Sequence, residues 1–169
     1  MPNLKQKGDQ AEIEVARDLI RRGFRIAIPY GENWDFDLIF SRPPSDVLER
    51  VQVKYCTSDG QVIQLRARSH SLTNGKVRRT KRYTAATIDW LAAYDPTTDR
   101  CYYLPARELG TGMNVVALRL VPARNAQEIG ARYAHDYVDP EPAPQLSLEV
   151  EPAGLEPAPF RMQTERSSN

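Results

Sequence analysis

Leu48-Glu-Arg-Val-Gln-Val-Lys-Tyr-Cys-Thr57 is the stretch from which the rest of the chain can be read outward. Its side chains alternate, with Val51, Val53 and Tyr55 on one face and Gln52, Lys54 and Cys56 on the other, which is the period of a β-strand. Gln52 and Lys54, two residues apart, therefore share a face. A lysine on a strand with an apolar opposite face needs a chemical reason, because burying charge is costly unless it is paired or bound to an ion. Upstream, Phe36 to Phe40 reads as a second strand carrying Asp37, and Ser41-Arg-Pro-Pro-Ser45 ends it. Before that, Arg25 to Ile28 is a third, ended by Pro29. Leu4 to Arg22 reads as an amphipathic helix whose apolar face is Ile13, Ala16, Leu19 and Ile20, with Gly23 just past its end and Glu12 along it.

Downstream, Asp59-Gly60 predicts a hairpin from this strand into a further one, Gln61 to Arg68. Residues 69–84, with Asn74-Gly75 at their middle, read as an exposed loop. Ile88 to Tyr94 and Cys101 to Leu104 flank a turn, Asp95 to Arg100, and predict another hairpin. Met113 to Val121 is β-branched enough for a strand, and Asn125 would cap a short helix through about Ala134. The order predicts an α+β (α/β) fold in which an N-terminal helix precedes a central mixed β-sheet with flanking helices.

The whole sequence has 169 residues, 41% of them hydrophobic and 27% charged, which is ordinary for one globular domain. No apolar run is long enough for a membrane helix, and the first residues lack the apolar stretch of a signal peptide. Cys56 and Cys101 are too few for a disulfide framework. A soluble, cytoplasmic chain is the expectation. The net charge of +1 hides an asymmetry: residues 1–82 carry sixteen Lys/Arg against ten Asp/Glu, and residues 83–169 carry seven against twelve. Between Gly60 and Ile88, Arg66, Arg68, Lys76, Arg78, Arg79, Lys81 and Arg82 meet no acid at all. A one-signed segment in a neutral chain points to a local anionic partner. His70 and His135 lack ligand spacing and read as surface residues, while Tyr83 and Trp90 read as packing groups.

Phosphodiester hydrolysis gives the polar strand face its reason. That chemistry uses a hard cation on oxygen ligands, and Asp37, Glu12 and the Gln52 carbonyl offer them. Lys54 can orient or deprotonate the attacking water, or hold the scissile phosphate. Gly8-Asp-Gln-Ala-Glu12, then Trp34-Asp-Phe-Asp37-Leu-Ile, then Val51-Gln-Val-Lys54 resemble, in order and spacing, the motifs of PD-(D/E)xK nucleases. More narrowly they are similar to group I intron-associated homing endonucleases, whose last motif is QxK. Arg82 to Trp90 and Tyr94 to Pro105 resemble that group too, so the likeness covers roughly Lys7 to Tyr137.

The resemblance implies a restriction-endonuclease-like core over residues 1–138. In it Glu12, Asp37, Gln52 and Lys54 are the catalytic set, and Asp37, Gln52 and Glu12 hold Mg²⁺, or Mn²⁺ in its place. Asp35, two residues before Asp37, is an alternative ligand. The expected activity is metal-dependent hydrolysis of duplex DNA, with the seven basic residues on its backbone. Cutting both strands with one small domain calls for symmetry, hence a homodimer or homotetramer. Two other readings stay open: a catalytically silent nucleic-acid-binding protein of the same fold, and a junction-resolving or RNA-processing nuclease.

From Asp139 the composition changes, and prolines at 140, 142, 144, 152, 157 and 159 argue for a tail over 139–169 without regular structure. Within 152–169, Gly154-Leu-Glu-Pro can be encoded by the reverse complement of a tRNA T-arm sequence. Thr164-Glu-Arg-Ser-Ser-Asn169 and a stop can be encoded by that of a D-arm. The tail reads as a frame running antisense into a tRNA gene, and the opposite strand of the coding DNA must then fold as a tRNA.

Overall fold

Asn3 starts helix α1 (Leu4–Arg21): its side chain accepts from the Gln6 backbone N–H while the Gln6 side chain returns the bond. This reciprocal cap satisfies two of the donors a helix start leaves open. The chain then leaves the helix through Gly23, whose φ of +83° suits glycine. The face α1 buries is Ala11, Val15 and Leu19. Ile13 and Ile20, expected inward, are 66% and 60% exposed. Ala11, Val15 and Leu19, four residues apart, form one stripe on the sheet, and Ile13 and Ile20 lie off it.

The computed structural model describes residues 3–31, 34–73, 76–122 and 129–140, apart from the side chains of 71–79. After α1 come β1 (Arg25–Ala27), β2 (Leu38–Ser41), β3 (Glu49–Tyr55), β4 (Val62–Arg66), β5 (Arg68–Thr73), β6 (Lys76–Arg82), β7 (Trp90–Asp95), β8 (Arg100–Pro105) and β9 (Val115–Arg119). A five-stranded sheet runs β1-β2-β3-β7-β8, and β3 lies parallel to β7 while the other pairs are antiparallel. α1 covers one face, packing Ala11, Val15 and Leu19 on Phe40, Val51, Val53, Trp90 and Tyr103. The opposite face is covered by a ribbon of β4 and β9, whose Ile63, Leu65, Val116 and Leu118 meet Leu91, Ala93, Tyr102 and Leu104. The architecture is thus α+β, helix on sheet on ribbon, and among the described residues α1 is the one α-helix.

Three expectations need correction. The Asp59-Gly60 turn exists, with Gly60 at φ +84°, but it joins no hairpin: β3 has β2 and β7 as neighbours, and β4 pairs with β9. A turn signal fixes a change of direction, not the partner beyond it. Residues 69–84 are not a loop. They form the β5–β6 hairpin, registered from Arg68↔Arg82 to Thr73↔Lys76. Being polar, these strands lack the apolar alternation by which a strand is found. The helix expected from Asn125 begins outside the described residues, and its later half is a turn at Ile129 and Gly130 followed by a 3₁₀-helix, Ala134–Tyr137. The tail beyond Pro140 also lies outside the described residues.

Asp95, at the end of β7, is fully buried. Its carboxylate accepts from the backbone N–H groups of Ser58 and Thr97, both at 3.1 Å, and from the hydroxyls of Ser58 and Thr98 at 2.8 and 3.0 Å. It fastens the segment after β3 to the β7–β8 turn. Burial alone would push this carboxyl up, but these donors outweigh it and hold it below the ordinary aspartate range. Its stabilisation is therefore complete above the unfolded-state pKa and is lost as pH falls through the lower folded value. Asp95→Ala, which orphans the buried Ser58 N–H and removes the acceptor of the exposed Thr97 N–H, is expected to lower the unfolding free energy by about 2 kcal/mol. Urea unfolding at pH 7 and pH 3 measures this, and the deficit should shrink at the lower pH.

Candidate active site

The register Leu38↔Val51 between β2 and β3 sets Asp37, one step before β2, opposite Gln52. Directly opposed residues of an antiparallel pair share a face. Asp37 stands at the strand's entrance rather than inside it, and its N–H donates to Val51 O at 2.8 Å, so the ladder already holds it. Its carboxylate accepts from the Val53 N–H at 2.8 Å and from the Gln52 amide nitrogen. Gln52 is only 6% exposed, in the middle of β3 between β2 and β7. Lys54, next on that face, donates to the Tyr83 hydroxyl at 3.1 Å.

Glu12 joins these residues from α1. With Leu4, Lys7 and Gly8 it lines a cleft of about 750 Å³ that also contains Asp37, Gln52 and Lys54. Positions 4, 8 and 12 form one helical stripe, which is why the N-terminal half of α1 forms a wall of the cleft. Gln64 and Arg66, the outward residues of β4, line it too. The cleft thus lies where the start of α1, the end of β3 and the ribbon converge.

The electrostatics of the cleft are unbalanced. Burial raises the Glu12 carboxyl above its ordinary value, and the charges of Asp37 and Asp9 raise it further, with Lys54 opposing. Burial also raises Asp37, against the Val53 N–H, Lys54 and Gln52, which pull it down. Two carboxyls that resist ionising beside each other describe a site short of positive charge. Among the described residues no group of three His, Cys, Asp or Glu side chains gathers for a metal. The donor set is instead two carboxylates and one amide, which suits a hard ion that keeps several waters and borrows phosphate oxygens.

Asp35 is elsewhere. It pairs with Lys81 at 2.8 Å, and Lys81 also donates to the Trp34 carbonyl at 3.2 Å. Among the described side chains, the basic residues between Gly60 and Ile88 do not share one surface. Arg66 lies in the cleft, Arg82 is exposed, and Arg68 turns toward Asn114. Arg66 and Arg68, both inside the strand expected over Gln61 to Arg68, fall in different sheets with buried Ala67 between them. Lys76, Arg78 and Arg79 stand in β6, their side chains outside the description. Sequence reasoning missed Lys7 and Tyr83. Counting back along α1 from Glu12 finds Lys7, whereas Tyr83 reaches Lys54 across 29 residues of chain and carries no local signal.

A family model described as PD-(D/E)XK endonuclease matches residues 2–140. Among solved structures, the bacterial homing endonuclease I-Ssp6803I superposes with a TM-score of 0.61 at 20% identity, covering 80% of this chain and 88% of that one. At that identity the likeness is one of fold: a helix followed by a mixed sheet. No curated protein matches the chain.

Proposed function

This chain belongs to the PD-(D/E)XK endonuclease family, a nuclease by class, and on that premise we propose that it is a metal-dependent endonuclease that hydrolyses phosphodiesters in duplex DNA, of the homing type associated with group I introns. The observation that carries the reading is the cross-strand pair Asp37–Gln52 standing with Lys54 and Glu12 in one cleft. No helix among the described residues is long and apolar enough to cross a membrane.

Asp37, Glu12 and the Gln52 side chain would hold Mg²⁺, or Mn²⁺. Gln52 presents its nitrogen to Asp37 here, and a half-turn of the amide presents its oxygen instead. When bound, the ion neutralises charge on the phosphoryl oxygens and makes water more acidic. Lys54 offers three donors on a flexible stem, enough to hold a phosphate oxygen and orient the attacking water together. Its tie to Tyr83 limits where the ammonium can go. Burial of Gln52 and Asp37 strengthens each of these interactions by keeping bulk water from them. The two cuts of a duplex need two such sites, so the active form is a homodimer or homotetramer.

Labelled duplex DNA, single-stranded DNA, a four-way junction and RNA of one sequence, each incubated with the protein and Mg²⁺, separate the rivals. Duplex cleavage is the expected result. Preference for the junction or RNA would reassign the substrate, and binding without cleavage of any of them would leave a silent module.

The basic hairpin gives a second expectation. If Arg78, Arg79 and Arg82 contact the DNA backbone, changing all three to Ala removes up to three phosphate contacts. Each lost contact lowers the slope of log K against log salt by about 0.9. Specific and non-specific binding should weaken by similar factors, because phosphate contacts carry no sequence information. Fluorescence anisotropy across a salt series measures both, and an unchanged slope would place the DNA elsewhere.

A further inference from the structure

Tyr83 sits where two parts of the molecule meet. It directly follows β6 (Lys76–Arg82), and its N–H donates to the Ala67 carbonyl at 3.0 Å, closing the base of the β5–β6 hairpin. Its ring is buried in the core under the β4–β9 ribbon, among Ile63, Leu65 and Ile88, so its place is fixed by packing. Its hydroxyl emerges from that core to accept from the Lys54 ammonium at 3.1 Å, and the ammonium lies 4.8 Å from the ring centroid.

Lys81, two residues earlier near the end of β6, reaches the other side of the site. It pairs with Asp35 and donates to the Trp34 carbonyl, in the segment that leads directly into Asp37. One end of the hairpin therefore touches both the lysine and the approach to the aspartate. A lysine stem has four rotatable bonds, and without a fixed acceptor its ammonium would spread over many positions.

We propose that Tyr83 is a positioning residue for this nuclease: its hydroxyl holds the Lys54 ammonium in the cleft and so couples the seating of the basic hairpin on DNA to the geometry of hydrolysis. The inference rests on the nuclease reading above. A positioning role acts on the chemical step and leaves ground-state binding alone, so rate and affinity should separate.

The experiment uses the full chain and Tyr83→Phe, which keeps the buried ring and removes only the hydroxyl. Three quantities are measured: the single-turnover cleavage rate at saturating duplex in Mg²⁺, the dissociation constant for the same duplex in Ca²⁺, and the unfolding midpoint. The expected result is a rate at least about ten-fold lower, a part of the 10²–10⁴-fold that a positioned proton-transfer group contributes, with the dissociation constant within about two-fold of wild type and the midpoint unchanged. A wild-type rate would overturn the proposal, as would a loss in which rate, affinity and midpoint fall together, since that marks a packing role. A wild-type protein that cleaves no DNA would remove the nuclease reading itself, a result distinct from either.

Discussion

Lys54→Ala is expected to cleave DNA at least about 10³-fold more slowly than wild type while folding normally and binding duplex with similar affinity. A positioned proton-transfer group contributes 10²–10⁴-fold, and removing one donor aimed at developing charge costs 10²–10³-fold. Lys54 serves in one or both ways. The fold should survive because Lys54 is only partly buried and Tyr83, its hydrogen-bond partner among the described residues, is held by its own core neighbours. Single-turnover cleavage, anisotropy and thermal unfolding read the three quantities. Cleavage at the wild-type rate would remove Lys54 from the mechanism.

Asp37→Asn should be equally inactive and, unusually for a change at a buried position, no less stable. Burial raises the Asp37 carboxyl above its ordinary range, so the folded chain holds that proton more tightly than the unfolded one. The sign follows. Its contribution to stability is present below the unfolded-state pKa and is lost as pH rises through the higher folded value. At pH 7.5 the ionised group is a cost that Asn removes, while Asn still offers an oxygen to the Val53 N–H. The unfolding midpoint of the variant should equal or exceed that of wild type at pH 7.5, and the advantage should vanish as pH falls and the wild-type carboxyl takes up its proton. Calorimetric binding of Mg²⁺ or Mn²⁺ should be lost. If Asp35→Asn is the inactive variant instead, the metal ligand lies on the wrong member of the pair, and the Asp35–Lys81 contact would need a catalytic explanation.

How much of this was legible in the sequence differs by element. Strand β3 was legible because its alternation is sharp: Val51 and Val53 pack under α1, and Gln52 and Lys54 turn to the cleft. The β7–β8 hairpin was legible from Asp95 to Arg100, and the register Asp95↔Arg100 bears that turn out. The inward face of α1 was misread, because Ile13 and Ile20 drew the apolar stripe away from the 11, 15, 19 row that packs on the sheet. The basic hairpin was hidden for another reason. Its strands are polar in sequence and show no apolar period, so only their pairing reveals them. Glu12, Asp37, Gln52 and Lys54 could be named from motif spacing, and the fold places all four on one cleft. Tyr83 could not, since the contact that matters is long-range.

The central claim, a divalent-ion-dependent endonuclease acting through this cleft, is tested most directly on supercoiled plasmid carrying the native locus of the gene. Incubated with the full chain and Mg²⁺, the plasmid should be nicked and then linearised, and excess EDTA should abolish both products. Supercoiled DNA that stays intact in Mg²⁺ and in Mn²⁺, or cleavage that continues undiminished in EDTA, would contradict it.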